Sequence, residues 1–269
     1  MPKAETLNNL VNSPLHRRDF AKKIAAGAMA VAGVAALPGS VEMFAQSLTD
    51  VDILNFALNL EYLEAEFYTV ATTGQRIADV GIGVTGKGRG GATTGGAKVS
   101  LDDFTAFTAM QITIDEQAHV NLLRAALKGD AVAKPDINLE ALGVGFRSQA
   151  EFLTVATIFE DVGVSAYGGA APLIDSPQIL GVAARIALTE GQHAGVLRSI
   201  VSRAALAIPQ VDPKAIPTIG NLNGRLFFVD GNGLSVSRTT SEVLKIVYAG
   251  GTSSGGFFPS GVNGTIARA

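Results

Sequence analysis

Beyond residue 45 the chain contains two histidines, His119 and His193, and each has a glutamate three positions before it: Glu116-Gln117-Ala118-His119 and Glu190-Gly191-Gln192-His193. Residues three apart on a helix share a face, so each pair can close on one ion from the same side. Apolar residues fall on those same faces: Ile112, Val120, Leu123 and Leu127 around the first pair, Ile186, Leu197 and Val201 around the second. The pairs therefore point into a core. A buried carboxylate without a positive partner costs several kcal/mol, and these faces carry no Lys or Arg, so a metal ion is the natural counter-charge. Cysteine is absent, which leaves nitrogen and oxygen as the ligand atoms and excludes disulfides, thiolate sites and cysteine nucleophiles.

Two further segments complete a pattern. Glu61 is followed seven residues later by Tyr68, and Glu160 by Tyr167, so each tyrosine is expected two helical turns along the stripe of its glutamate. The chain is an internal near-repeat, each half reading as Glu, then Tyr, then a hairpin, then Glu-x-x-His. Four helices are predicted from apolar spacing and start signals. The first runs from about Thr49 to Thr73 with Thr49 and Asp52 as a capping pair. The second opens at Ser100 with Asp103 and runs to Leu127; the third opens at Ser148 with Glu151 and ends near Pro172. The fourth has Ser176 as cap and Pro177 at its first position, and runs to about Ile208. Glu64, about 60° from the Glu61 stripe, is a candidate extra ligand, whereas Glu66, nearly opposite, is expected to face solvent.

The connections differ in kind. Residues 72–97 are so rich in Gly that a mobile surface loop is expected. Within it Gly81 to Gly88 imitates a phosphate-binding loop, but Gly88 stands where the magnesium-binding Ser or Thr should be and no strand precedes it, which argues against nucleotide. The link between the second and third helices, about twenty residues, must cross the bundle, roughly 35 Å, which an extended chain of that length spans. Residues 210–269 form an irregular tail with one short helix capped by Thr239 and Glu242, expected to pack Phe227, Phe228, Phe257 and Phe258 on the bundle.

The N-terminus reads as an address. His16-Arg17-Arg18-Asp19-Phe20-Ala21-Lys22 precedes a weakly apolar run from Ile24 to Leu37. This resembles a twin-arginine export signal over residues 1–45, with the export machinery as a partner and a periplasmic or extracellular destination. Cleavage after Ala45 and retention as a membrane anchor are both open, Met43 being a poor small residue. Residues 1–45 hold five of the 21 Lys and Arg and three of the 24 Asp and Glu, so the remainder carries 16 basic against 21 acidic side chains, a net charge of −5. That excess argues against nucleic acid as a partner.

One Glu on each of two helices with Glu-x-x-His on each of two others resembles the di-iron carboxylate proteins of the ferritin-like superfamily, an all-α, four-helix fold expected here over 46–209. Leu60-Glu61-Tyr62-Leu63-Glu64-Ala65-Glu66-Phe67-Tyr68 and Gly255-Gly256-Phe257-Phe258-Pro259 further resemble the ferritin-like, desiccation-related secreted proteins. The resemblance implies two iron ions, with manganese open on ligand type: Glu61, Glu116 and His119 around one, Glu160, Glu190 and His193 around the other, and Glu116 and Glu190 as bridges. Tyr68 and Tyr167 would support metal-bound carboxylates. The activity implied is oxidation of ferrous iron or consumption of dioxygen or peroxide under stress; a non-catalytic metal-binding or structural role is the alternative, and homo-oligomerisation is open.

Overall fold

A computed structural model of the protein describes residues 48–209, 211, 227, 229 and 232–269. The export-signal reading and Phe228 lie outside the described residues. Four long helices form the bundle: α1 (Asp50–Thr73), α2 (Asp103–Leu127), α3 (Gln149–Ala170) and α4 (Pro177–Arg203); a short α5 (Thr240–Val247) lies in the tail. α1 packs along α2 and α3 along α4 as two hairpins, and α1 meets α3 while α2 meets α4 to close the bundle.

Local chemistry sets the helix starts. Thr49 and Asp52 form a reciprocal capping box on α1, and Gly74 ends that helix in a left-handed conformation at φ 82°. Ser176 caps α4 by accepting from the Ile179 N–H, with Pro177 in the first turn. α2 starts two residues later than Ser100 suggests, because the Asp102 carboxylate accepts from the Thr105 N–H at 2.7 Å and takes the cap. Ser148 caps α3, but Glu151 does not close the box; its carboxylate accepts from the Gly145 and Arg147 N–H groups instead. α3 ends at Ala170, before a 3₁₀ turn, and α4 ends at Arg203, short of Ile208.

The connections form a mantle on the bundle, and here three expectations fail. Residues 74–101 are not a detached loop. Lys87 N–H donates to Ala131 O at 2.9 Å, Lys134 N–H to Val84 O at 2.9 Å, and the two-residue strands β1 (Thr93–Thr94) and β2 (Ile137–Asn138) pair in parallel. Glycine is frequent there because backbones approach closely: a Cβ on Gly86 would lie 2.2 Å from Ala131 O, and one on Gly91 2.0 Å from Asp136 N. Glu66, expected in solvent, is fully buried; it accepts from Thr93 Oγ1 at 2.7 Å and faces Lys134 Nζ at 3.6 Å. The mantle covers the outer side of α1, so α1 is buried on nearly every face from Ile53 to Ala71. Asn55 and Asn59 serve that contact, Asn55 accepting from Val132 N–H at 2.9 Å and Asn59 from Asn263 N–H at 3.1 Å. In the tail Phe257 and Phe258 are buried as expected, Phe257 lying 4.9 Å edge-on from Phe159, but Phe227 is 66% exposed.

Candidate metal centre

The six residues singled out in the sequence meet in the middle of the bundle. α1 supplies Glu61, α2 Glu116 and His119, α3 Glu160, and α4 Glu190 and His193; the four glutamates are at most 1% exposed and both histidines are buried. His119 Nδ1 lies 3.2 Å from Glu61 Oε2, 3.5 Å from Glu116 Oε2 and 3.4 Å from Glu190 Oε1. His193 Nδ1 lies 3.2 Å from Glu116 Oε1 and 3.3 Å from Glu160 Oε2. Two ligand sets result, Glu61, Glu116, His119 and Glu190, and Glu116, Glu160, Glu190 and His193, each with its ligand atoms within 4.8 Å of one another. Glu116 and Glu190 belong to both, and Glu116 turns one oxygen to each histidine.

This much negative charge is held without ordinary partners. Both oxygens of Glu116, Glu160 and Glu190, and His193 Nδ1, are buried with no hydrogen bond: the imidazoles are near enough for ion pairing but not aligned as donors. Burial, and then the neighbouring Glu190, raise Glu116 to about 8; burial, and then Glu160, raise Glu190 to about 8. Glu160 is raised by burial too. In Glu61 burial is outweighed by His119, which holds the carboxyl below its usual value. Burial disfavours a charged imidazole, yet Glu116 and Glu160 raise His193 to about 11, and Glu61 leads the groups that raise His119. Convergent, unbonded carboxylate oxygens beside inward-facing imidazole nitrogens fit a cation between them, and both sets could hold a metal ion.

Residues 49–203 match the model of the ferritin-like domain family. The chain belongs to that family. Ferritin-like catalase Nec2 of Nesocodon mauritianus is 24% identical over 268 residues, a match covering 81% of this chain and 85% of the relative. Desiccation-related protein PCC13-62 of Craterostigma plantagineum is 26% identical over 183 residues, covering 62% of this chain and 57% of the relative.

Around this ferritin-like centre the tyrosines act across helices, not along them. Tyr167 on α3 donates its hydroxyl to Glu61 Oε1 on α1. Tyr68 on α1 sits near Glu160 of α3, whose charge adds to burial in raising its hydroxyl well above the usual value, but it makes no hydrogen bond. Glu64 is buried beside these candidate ligands, raised well above the carboxylate range by burial and then by Glu190, Glu116, Glu160 and Glu61.

Two supporting residues escaped the sequence reading. Asp115 Oδ2 lies 3.1 Å from His193 Nε2 and fixes the ring from outside, the usual carboxylate support of a ligating imidazole. Gly163 is the other: a Cβ there would meet Glu190 Oε2 at 2.6 Å and Glu64 Oε1 at 3.2 Å. A glycine inside a helix costs about 1 kcal/mol against alanine, and that cost was the available signal of a packing constraint.

Proposed function

We propose that this ferritin-like protein holds two metal ions, iron or manganese, in its core and uses them to disproportionate hydrogen peroxide in the periplasm or outside the cell. The observation that carries the reading is the membership of Glu116 and Glu190 in both ligand sets. Two shared carboxylates would bridge a pair of ions, with Glu61 and His119 completing one position and Glu160 and His193 the other. The name of the catalase relative, aligned over 81% of this chain, supports peroxide as the substrate. When bound, the metal pair supplies reversible exchange of two electrons.

The reaction balances with peroxide alone. One molecule gives up two electrons and two protons and becomes dioxygen; a second accepts both and becomes two molecules of water. No outside reductant is needed, which suits a chain without cysteine. The residues then have definite tasks. Glu64, kept protonated by burial and by its carboxylate neighbours, holds a proton at its carboxyl group beside Glu190. Tyr167 orients Glu61 through its hydroxyl. Leu60, Leu63, Ile158, Phe159 and Phe257 line an apolar cavity of about 20 Å³ that reaches Glu64 and Gly163, room for about one water-sized molecule. Such walls keep bulk water out and admit a small neutral molecule.

Metal analysis and oxygen-electrode measurements on purified protein test the proposal. Two ions per chain and oxygen release at half the peroxide consumed are expected, and His119→Ala should lose the activity, since no other imidazole can replace it in that ligand set. A protein that binds two ions yet decomposes peroxide no faster than His119→Ala overturns the catalytic reading. It would leave metal sequestration under drying stress, the role to which the desiccation-related relative's name points. Export by the twin-arginine route is part of the proposal and rests on residues 16–37.

A further inference from the structure

The outer face of α2 is unusual for a helix that meets water. From Phe104 to Ala126 its exposed residues include Phe104 (61%), Phe107 (65%), Met110, Ile114 (55%) and Leu122, and none of the exposed positions in that span is ionisable. Asp115 and Arg124 flank the stripe and are engaged elsewhere, with His193 and with Tyr62 and Thr85. α4, beside α2, adds Leu188 at 69% exposure. The contrast with α1 is sharp, because the link and the tail cover the outer side of that helix, whereas no described segment covers this stripe.

We infer that a second copy of this chain packs on the α2 face, α2 against α2 across a two-fold axis. The exposed fractions of those six side chains amount to ~700 Å², above the few hundred Å² of apolar patch that a monomer usually shows and close to the ~800 Å² each partner buries in a standard interface. Charge selects the occupant. Two copies that are each net acidic repel over most of their surfaces, and a face whose exposed residues are mostly uncharged, with the half-exposed Asp115 at its edge paired to His193, is where they can meet. A membrane-lying helix would instead border its apolar stripe mainly with Lys and Arg, and here the acidic Asp102, Asp103 and Asp115 border it, with Arg124 tied to Tyr62 and Thr85 and Lys128 only at the helix end. Shape agrees with self-pairing: the bulky Phe107 and Ile114 lie in the N-terminal half of the stripe and the small Ala118 and Ala125 in the C-terminal half, so an antiparallel copy can set large residues against small ones.

The test uses the full exported chain. Sedimentation equilibrium at micromolar concentration should give a dimer, and Phe107→Glu with Ile114→Glu should give a monomer of unchanged helix content and metal content. Because the chain has no cysteine, Gln111→Cys provides an independent measurement: mild oxidation should yield a disulfide-linked dimer, whereas Ser260→Cys, exposed on the tail that covers α1, should not. A monomeric wild-type protein overturns the inference, as does a dimer that survives both glutamates while Gln111→Cys gives no cross-link. A monomer that dimerises only when residues 212–226 are deleted overturns it too, by assigning the face to this chain's own segment.

Discussion

Gly163→Ala separates the fold from the site more cleanly than loss of a ligand does. In the helix interior the added methyl should favour the folded state by about 1 kcal/mol, since alanine is the better helix former. Against that, the new Cβ would lie 2.6 Å from Glu190 Oε2, closer than a Cβ can come, and 3.2 Å from Glu64 Oε1, a tight contact. α3 cannot retreat, because Phe159 and Val162 beside this position are buried. The group that yields is the Glu190 carboxylate, at the end of a side chain with rotatable bonds. Turning it away releases the contact and moves one of the two shared carboxylates off its place. The expected result is a protein whose metal-free stability in urea is within about 1 kcal/mol of wild type, but whose affinity for the ions falls on the order of 10- to 100-fold, the usual effect of disturbing a ligand's support. Titration with manganese or ferrous ion under anaerobic conditions, followed by calorimetry, measures the affinity. A variant that binds two ions as tightly as wild type would refute the placement of Glu190 against α3 and its role as a shared ligand.

Other outcomes follow from the same structure. Glu116 and Glu190 near 8 and His193 near 11 hold protons that ions must displace, so metal affinity should rise with pH between 6 and 8, and calorimetry in buffers of different ionisation enthalpy should detect proton release. Those same raised values, set against 4.5 and 6.5 for unfolded chains, add stability at low pH that is lost as pH climbs through them, so the melting temperature of metal-free protein should fall from pH 5 to 9 while that of loaded protein changes less. Lys134→Met removes the cation that faces buried Glu66 and should cost about 3–5 kcal/mol in urea unfolding; an effect below about 1 kcal/mol would show that the pair does not hold the mantle to α1. Arg17→Lys with Arg18→Lys should retain the protein inside the cell on fractionation, and normal export would remove the twin-arginine reading.

The parts of this fold legible in the sequence are those fixed by local geometry. Thr49 with Asp52 and Ser176 before Pro177 mark helix starts because a cap needs only its own next turn. Glu-x-x-His placed Glu116 with His119 and Glu190 with His193 because a helix brings residues three apart to one face. What escaped is what depends on distant chain. Glu66 sits nearly opposite Glu61 on an isolated helix and would be wet there, but Thr93 and Lys134, brought by two separate connections, bury it. The glycines of residues 74–101 suggested freedom, whereas Gly86 and Gly91 are there because the backbone of residues 131–136 runs against them. The tyrosines follow the same rule: helical spacing puts Tyr167 over Glu160, but packing of α3 on α1 delivers its hydroxyl to Glu61.

The mantle bears on the chemistry as well as on the fold. Five carboxylates, Glu61, Glu64, Glu116, Glu160 and Glu190, are buried in one bundle core, and the imidazoles of His119 and His193 supply the ion pairs made to four of them. Water around α1 would screen that charge and lessen the demand for a counter-ion, because the interaction between charges weakens in proportion to the local dielectric. With Asn55, Asn59 and Glu66 tying the connections to the outer side of α1, water is kept from that helix and the repulsion persists. Neutrality must then come from protons or from cations. Protons satisfy Glu64, Glu116 and Glu190 one at a time, whereas a divalent ion satisfies several oxygens at once and takes no proton with it. The covering that makes this chain longer than its bundle thus raises the driving force for a cation in the core, and the same dry surroundings let Glu64 keep the proton that the proposed peroxide chemistry would use.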